Sequence, residues 1–236
     1  MVKNKFDNFF ENEIYLYFKN NLFNYLCRKK IIKKYLKKRK ILDIGSGISP
    51  IIEINKNSYF FDLSKKSVEF MKSKGANAFV SDIKKTNFDN SFFDQIVCSE
   101  VLEHIDDVNL ALKELNRILK EEGELIITIP IHKYYWGKDD ELVGHIQRFN
   151  LNTFKQILEK NKFKIKKIVK IGNPLERILT LLITVIFLKS KKKNNNIKSF
   201  IILFKIINII LCYLMLLITK ITPMFLVSDV MILSKK

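Results

Sequence analysis

The chain has 236 residues, enough for one α/β domain with an addition, and 47% of them are apolar, which excludes global disorder. The net charge of +18 is uneven: residues 1–42 carry +9, residues 43–149 carry −5 and residues 150–236 carry +14. Basic flanks around a mildly acidic centre suit nucleic acid or an anionic membrane surface, and the residues of each flank must decide which.

Cys27, Cys98 and Cys212 lie far apart with no C-x-x-C. That pattern speaks against a disulfide framework or a zinc site, so no metal centre is expected, and it fits a reducing cytoplasm. The opening "MVKNKFDNFFENE" lacks the apolar core of a secretory signal.

Residues 1–38 read as an N-terminal helical segment. Phe6, Phe9, Phe10, Ile14, Tyr17 and Phe18 fall on one helical face. "RKKIIKKYLKKRK" follows, either a solvated helix surface or one drawn to anionic lipid. From residue 41 to 130 strands alternate with helices. Strand-like runs are Lys40–Ile44, Ser58–Phe61, Asn77–Val80, Asp94–Cys98 and Glu124–Ile129. Ser49 and Pro50 look like a helix N-cap and first position, and Ser64 like a second N-cap. An apolar stripe from Val108 to Leu119 predicts a helix closed by Gly123. This alternation implies an α/β fold with a doubly wound, mostly parallel sheet. A polar-aromatic loop (131–150), a helix capped by Asn150, a strand at Lys164–Ile171 and a last strand in "FLVSDVMIL" complete it. The sheet domain is thus 39–173 plus 223–236, with an apolar helical insertion at 174–222.

The first strand runs into "LDIGSGISP". A dinucleotide turn wants G-x-G-x-x-G, but Pro50 stands where the third glycine belongs, and no G-K-[ST] follows for a triphosphate loop. S-adenosylmethionine has no phosphate. It asks instead for an open glycine turn and for acids toward its ribose and cation. Asp43 opens the turn, Asp62 ends the second strand and Asp82 ends the third, all on the carboxyl edge where ligands bind in such sheets. One such Asp is ordinary turn chemistry; three in succession after a glycine turn point to a site.

With these residues the chain resembles the class I S-adenosylmethionine-dependent methyltransferases over about residues 39 to 170. "LDIGSG" is similar to their first motif. "FDQIVCSEVLEHIDD" and "ELNRILKEEGELIITIP" are similar to the fourth- and fifth-strand regions of the small-molecule branch, which includes quinone-biosynthesis enzymes. Ser49 replaces a third alternate glycine seen in many members. The resemblance implies a seven-stranded Rossmann-like sheet with the apolar hairpin inserted before the last strand. It also implies residue roles: Asp43, Gly45 and Gly47 along the methionine part, Asp62 at the ribose, Asp82 and Ile83 at the adenine, Ser99 and Glu100 near the methyl group.

The acceptor side is less defined. Methyl transfer is an in-line displacement that needs a base only when the acceptor must lose a proton. His104 in "EVLEH" and His145 in "LVGHIQRFN" are the candidate catalytic groups; each can also be a structural loop histidine. The second stretch resembles G-H-x-R-R-[YF], with Gln147 in place of the first arginine, so Arg148 alone is the candidate anion contact. Tyr134, Tyr135 and Trp136 are candidate walls of an acceptor pocket. Where base-modifying enzymes carry [DNS]-P-P-[YFW], this chain has "SEVLEH", so nucleic acid is not the expected partner.

In the insertion, residues 175–188 make roughly 21 Å of helix, too short to cross a bilayer, and residues 199–221 make roughly 34 Å. The last two strands pair in one sheet, so both helices must leave and return on the same side. A single span is excluded by that topology. The expectation is a helical hairpin lying on the inner face of the membrane, in a cytoplasmic protein that methylates an amphipathic small or lipid-linked acceptor. A private subdomain, a dimer interface, a non-catalytic membrane scaffold and a nucleic-acid methyltransferase are the alternatives.

Overall fold

The computed structural model describes residues 21–37, 39–189 and 197–236. Seven strands form one sheet in the order β3-β2-β1-β4-β5-β7-β6. They are β1 (Ile41–Ile44), β2 (Ser58–Asp62), β3 (Asn77–Val80), β4 (Phe93–Ser99), β5 (Leu119–Pro130), β6 (Lys164–Lys170) and β7 (Asp229–Lys235). β1 to β5 pair in parallel, whereas β7 runs antiparallel to both β5 and β6. The helices are α1 (Phe23–Lys33), α2 (Lys65–Ser73), α3 (Val108–Ile118), α4 (Lys138–Val143), α5 (Leu151–Lys160), α6 (Pro174–Lys189) and α7 (Ile197–Ile221).

Strand alternation divides the core into two layers. On one face Ile96 and Cys98 of β4, Leu125, Ile127 and Ile129 of β5, and Val230 and Ile232 of β7 pack with Leu112 and Leu115 of α3 and with Phe154 and Leu158 of α5. On the other, Val97, Ile126 and Met231 pack with Ile31 and Ile32 of α1 and with Val68 and Met71 of α2. The predicted caps hold: the Ser64 side chain accepts from Ser67 N, and Asn150 from the backbone of Asn152 and Thr153.

Three local expectations fail, each for a physical reason. No helix follows Ser49 and Pro50. The Asp43 carboxylate receives Ile51 N at 2.8 Å, Ile51 and Ile52 bury as a turn, and Asn55 closes an Asx turn onto Asn57 N before β2 begins. The cap-like start has too little chain left to propagate a helix. Gly123 lies inside β5, not at a helix end. Leu119 already pairs with Phe93, and a Cβ at Gly123 would stand 2.7 Å from the Lys120 carbonyl. The last strand begins at Asp229, because Met224–Leu226 turn through a short 3₁₀ segment that bonds to the loop after β5. The N-terminal aromatic face at Phe6–Phe18 lies outside the described residues.

The hairpin helices α6 and α7 form where the insertion was read. They leave the sheet after β6 and rejoin it at β7, where Lys170 pairs with Val230 and Pro130 with Asp229. Both ends therefore sit on the carboxyl edge of the parallel strands. One stripe of α7 (Asn208, Cys212, Met215, Thr219) is buried, and it packs on α1 through Phe23 and Cys27. The Asn208 side chain accepts from Phe23 N at 2.9 Å, so a polar residue in the most apolar helix caps another helix. Asn208→Ala should cost about 1 kcal/mol, the usual range for a lost N-cap acceptor. Urea unfolding at neutral pH measures it, and an unchanged midpoint would refute the capping role.

Candidate active site

The loop between β1 and β2 is shaped by two carboxylates. Asp43, 1% exposed, takes Ile51 N at 2.8 Å and Ile52 N at 3.4 Å. Asp62 takes Gly47 N at 2.9 Å through one oxygen and Ser64 N at 2.8 Å through the other. Gly45 and Gly47 both have positive φ, and a Cβ on Gly45 would stand 2.5 Å from Val101 Cγ2. The backbone of this turn can thus approach a ligand only because glycine stands there. Burial pushes the Asp43 carboxyl up to about 7 against the opposing help of the Ile51 and Ile52 amides. Asp82 lies two residues beyond β3, exposed, with its carboxylate on Lys84 N, and Ile83 beside it is buried.

At the end of β4, Ser99 and Thr128 share a hydroxyl hydrogen bond of 2.8 Å. Glu100 follows with φ 55, accepting from Thr128 Oγ1 at 2.8 Å and from Arg28 Nη2 at 2.9 Å. Arg28 belongs to α1, whose Tyr25 hydroxyl and Lys29 ammonium also bond to the Ser49 and Pro50 carbonyls. The N-terminal helix therefore packs directly onto the glycine loop. Sequence reasoning missed this: Arg28 stands among lysines, and nothing local separates it from them.

Leu102–His104 form a 3₁₀ turn after β4 that brings His104 to His145, with ring centroids 4.8 Å apart. His104 Nδ1 lies 3.0 Å from the Gly144 carbonyl, and His145 Nδ1 lies 2.7 Å from Asp140 Oδ1. Glu103 between them is fully buried, and burial followed by its neighbour Glu100 raises its carboxyl well above the usual range. Asp140 also escaped the sequence reading. Buried as it is, it receives Arg148 Nε at 3.0 Å and Arg177 Nη2 at 2.7 Å; these partners and His145 outweigh burial and hold its carboxyl well below the usual range. Arg148 is 5% exposed and spends its remaining contacts on the carbonyls of Ile131 and Ser228. The structure thus places Arg148 as a support of Asp140 and not as an open anion contact. Tyr134 and Trp136 are exposed, and the Tyr134 hydroxyl donates to the Phe225 carbonyl, so this wall is tied to the exit of α7.

The glycine turn, the two carboxylates that shape it and the strand-end acids all lie on one edge of a 3-2-1-4-5-7-6 sheet. A methyltransferase-domain family matches residues 42–127, the stretch from the glycine loop through β5. The matched stretch and the fold support a class I S-adenosylmethionine-dependent methyltransferase. The chain is similar to the ubiquinone biosynthesis O-methyltransferase of Pelagibacter ubique, 32% identical over 103 residues, which cover 40% of this chain and 43% of that one. An uncharacterized protein of Methanocaldococcus jannaschii is 28% identical over 157 residues, covering 61% of this chain and 68% of its own. A second from that organism matches over 59% of its length, so the chain spans roughly half to two thirds of these relatives. Among solved structures, a SAM-dependent methyltransferase from Thermotoga maritima superposes with a TM-score of 0.64 at 18% identity, over 98% of each chain. One from Archaeoglobus fulgidus gives 0.60 at 22%, over 95% of this chain and all of that one.

S-adenosylmethionine is the cofactor of this methyltransferase, and it supplies an electrophilic methyl group on a sulfonium. The residues present fit it: two positive-φ glycines, of which Gly45 has no room for a side chain, a buried acid at the end of β2, and an acidic strand edge for a cationic donor. Asp62→Ala should abolish cofactor binding measured by calorimetry; retained affinity would remove Asp62 from the site. A second prediction concerns pH. The Asp43 carboxyl titrates near 7 when folded and near 3.8 when unfolded, so its contribution is full below pH 4 and is lost as pH rises to 7. The cofactor-free native chain should therefore lose urea stability relative to Asp43→Asn between pH 5 and pH 8. A difference independent of pH would refute the buried, raised carboxyl.

Proposed function

We propose that this enzyme methylates an amphipathic small or lipid-linked acceptor, with the hairpin resting on the inner face of an anionic membrane. The observation that carries this reading is the outer face of α7. Leu203, Ile206, Ile207, Ile210, Tyr213, Leu214, Leu217 and Ile221 are 45–84% exposed and recur at helical spacing opposite the buried stripe. An apolar patch of this extent marks a docking surface. Lysines surround it: Lys205 and Lys220 lie on α7, Lys30 of α1 stacks over the Tyr213 ring at 3.4 Å, and the flank from residue 150 onward carries +14.

Position supports the same reading. The hairpin starts and ends on the edge that carries the glycine loop, and Tyr134 and Tyr135 bond to the Phe225 and Leu226 carbonyls. An acceptor with an apolar tail would then reach the methyl donor without leaving the interface. The stretch Leu203–Ile221 is long and apolar enough to cross a bilayer, but its buried stripe is committed to α1, and its far end must return to β7. An interfacial helix satisfies both constraints.

Liposome flotation tests this. The intact chain should float with anionic vesicles at low and high salt, and Ile210→Glu with Leu217→Glu should abolish flotation while leaving cofactor affinity unchanged. Equal behaviour of the two proteins would overturn the membrane reading.

A further inference from the structure

We propose that Glu176, Ser228 and Asp229 form a subsite for a primary ammonium group, so that the acceptor of this enzyme is an amphipathic amine held by its head at the root of the hairpin. The identity of the acceptor rests on the proposed function; the subsite itself does not.

Three elements bring the oxygens together. Gly172 follows β6, Glu176 lies in the first turn of α6, and Ser228 immediately precedes Asp229 at the start of β7. A Cβ on Gly172 would stand 2.0 Å from Ser228 Oγ, 2.5 Å from Asp229 Oδ2 and 2.6 Å from Glu176 Oε2. Gly172 is not among the glycines with positive φ, so its backbone makes no demand for glycine. The demand comes from the space in front of it, on which the three oxygens converge.

The unmet charge is the independent observation. Glu176 is 7% exposed, and its Oε2 has no hydrogen-bond partner. Asp229 is 8% exposed, and its Oδ2 receives the Ser228 hydroxyl at 2.6 Å. The neighbouring cations are committed elsewhere. Arg28 pairs with Glu100 at 2.9 Å and Arg148 with Asp140 at 2.9 Å. Arg177 Nη2 holds Asp139 and Asp140, each at 2.7 Å, and Lys170 bonds to the Lys220 and Thr222 carbonyls. Among the described residues, neither Glu176 nor Asp229 has an ion-pair partner. Two buried carboxylates that face one space without a cation are costly. Burial first and Asp229 second push the Glu176 carboxyl up to about 8, so the empty subsite keeps a proton there near neutral pH. An ammonium group replaces that proton with a full charge shared by both acids.

The donor count selects the ligand. A primary ammonium has three N–H donors and no acceptor, which matches three oxygens. The Ser228 hydroxyl spends its proton on Asp229 and keeps its lone pairs for the ligand. A quaternary ammonium brings no N–H, and an alcohol brings no charge. Asp229 pairs with Pro130 at the end of β5, so the subsite lies on the carboxyl edge of the parallel strands. The tail of the amine would leave it along the apolar hairpin, whose helices are tied together here by Asn173 and Thr219 at 2.9 Å.

The test is calorimetry on the full chain saturated with S-adenosylhomocysteine, without vesicles, titrated with n-octylamine, n-octanol or n-octanoate. Octylamine should bind once per chain and at least about ten-fold tighter than octanol, and octanoate should not bind. Glu176→Gln and Asp229→Asn should each weaken octylamine at least about ten-fold and leave octanol unchanged. Gly172→Ala, which fills the space, should have the same effect, whereas Glu159→Gln, at an exposed acid on α5, should have none. Affinity for S-adenosylhomocysteine in each variant reports that the fold is intact. Octylamine no tighter than octanol, or unchanged binding in Glu176→Gln, would overturn the subsite. So would a loss of S-adenosylmethionine affinity in Glu176→Gln with S-adenosylhomocysteine and octylamine unaffected, which would assign these acids to the donor's sulfonium. No vesicle enters these measurements, so their failure leaves the flotation result and the membrane reading standing.

Discussion

The contact between Arg28 and Glu100 is the constraint around which the carboxyl edge is organised. Arg28 is one buried cation in reach of four carboxylates, Glu100, Asp229, Glu176 and Glu103. Burial alone would lower its affinity for a proton, and those four charges more than reverse that. Removing the guanidinium would leave buried carboxylates uncompensated, an expense far above that of a surface pair. The same cluster pushes the Glu176 carboxyl up to about 8, through burial first and Asp229 second. Gly172 makes the cluster possible, because a side chain there would collide with Ser228, Asp229 and Glu176. An edge this rich in carboxylates favours cations, which is what a sulfonium donor is.

Arg28 reaches Glu100 only because α1 is held in place from behind. Asn208 caps α1, the Cys27 thiol donates to the Cys212 carbonyl at 3.3 Å, and Phe23 is buried against Met215. The apolar hairpin, the N-terminal helix and the glycine loop thus form one mechanical path. Tyr25 and Lys29 on the next turns of α1 close it onto Ser49 and Pro50. The hairpin is therefore part of the structure that positions the cofactor loop, and not an appendage to a finished domain.

How far the sequence revealed this depends on the range of each interaction. The strands were legible because apolar runs need no partner to be recognised; β3 matches its predicted span, and the other parallel strands differ by a residue or two at most of their ends. β5 starts earlier because its Leu119 pairing with Phe93 involves residues that also read as the end of an apolar helix stripe. The helix after Ser49 was misread because its cap signature is local, whereas its fate was set by Asp43 claiming the Ile51 and Ile52 amides. The strand-end acids could be found from spacing alone. Glu103, Asp140 and Arg28 could not: their meaning comes from partners up to 72 residues away, and in sequence each is one charge among many.

α7 shows why composition and length decide less than periodicity. By length it is a bilayer span; by its stripes it is two-sided, with Asn208 and Thr219 turned to the protein and isoleucines and leucines turned out. An ordinary surface helix has the opposite polarity. Such a helix is satisfied only when something apolar covers its outer face, and its register is already fixed by the cap on α1. Whatever covers it must therefore lie beside the loop after β5, where His132, Tyr134 and Tyr135 bond to the Met224–Leu226 backbone. The exit of α7 and the loop after β5 are thereby joined at one edge of the sheet, the edge that carries the glycine loop.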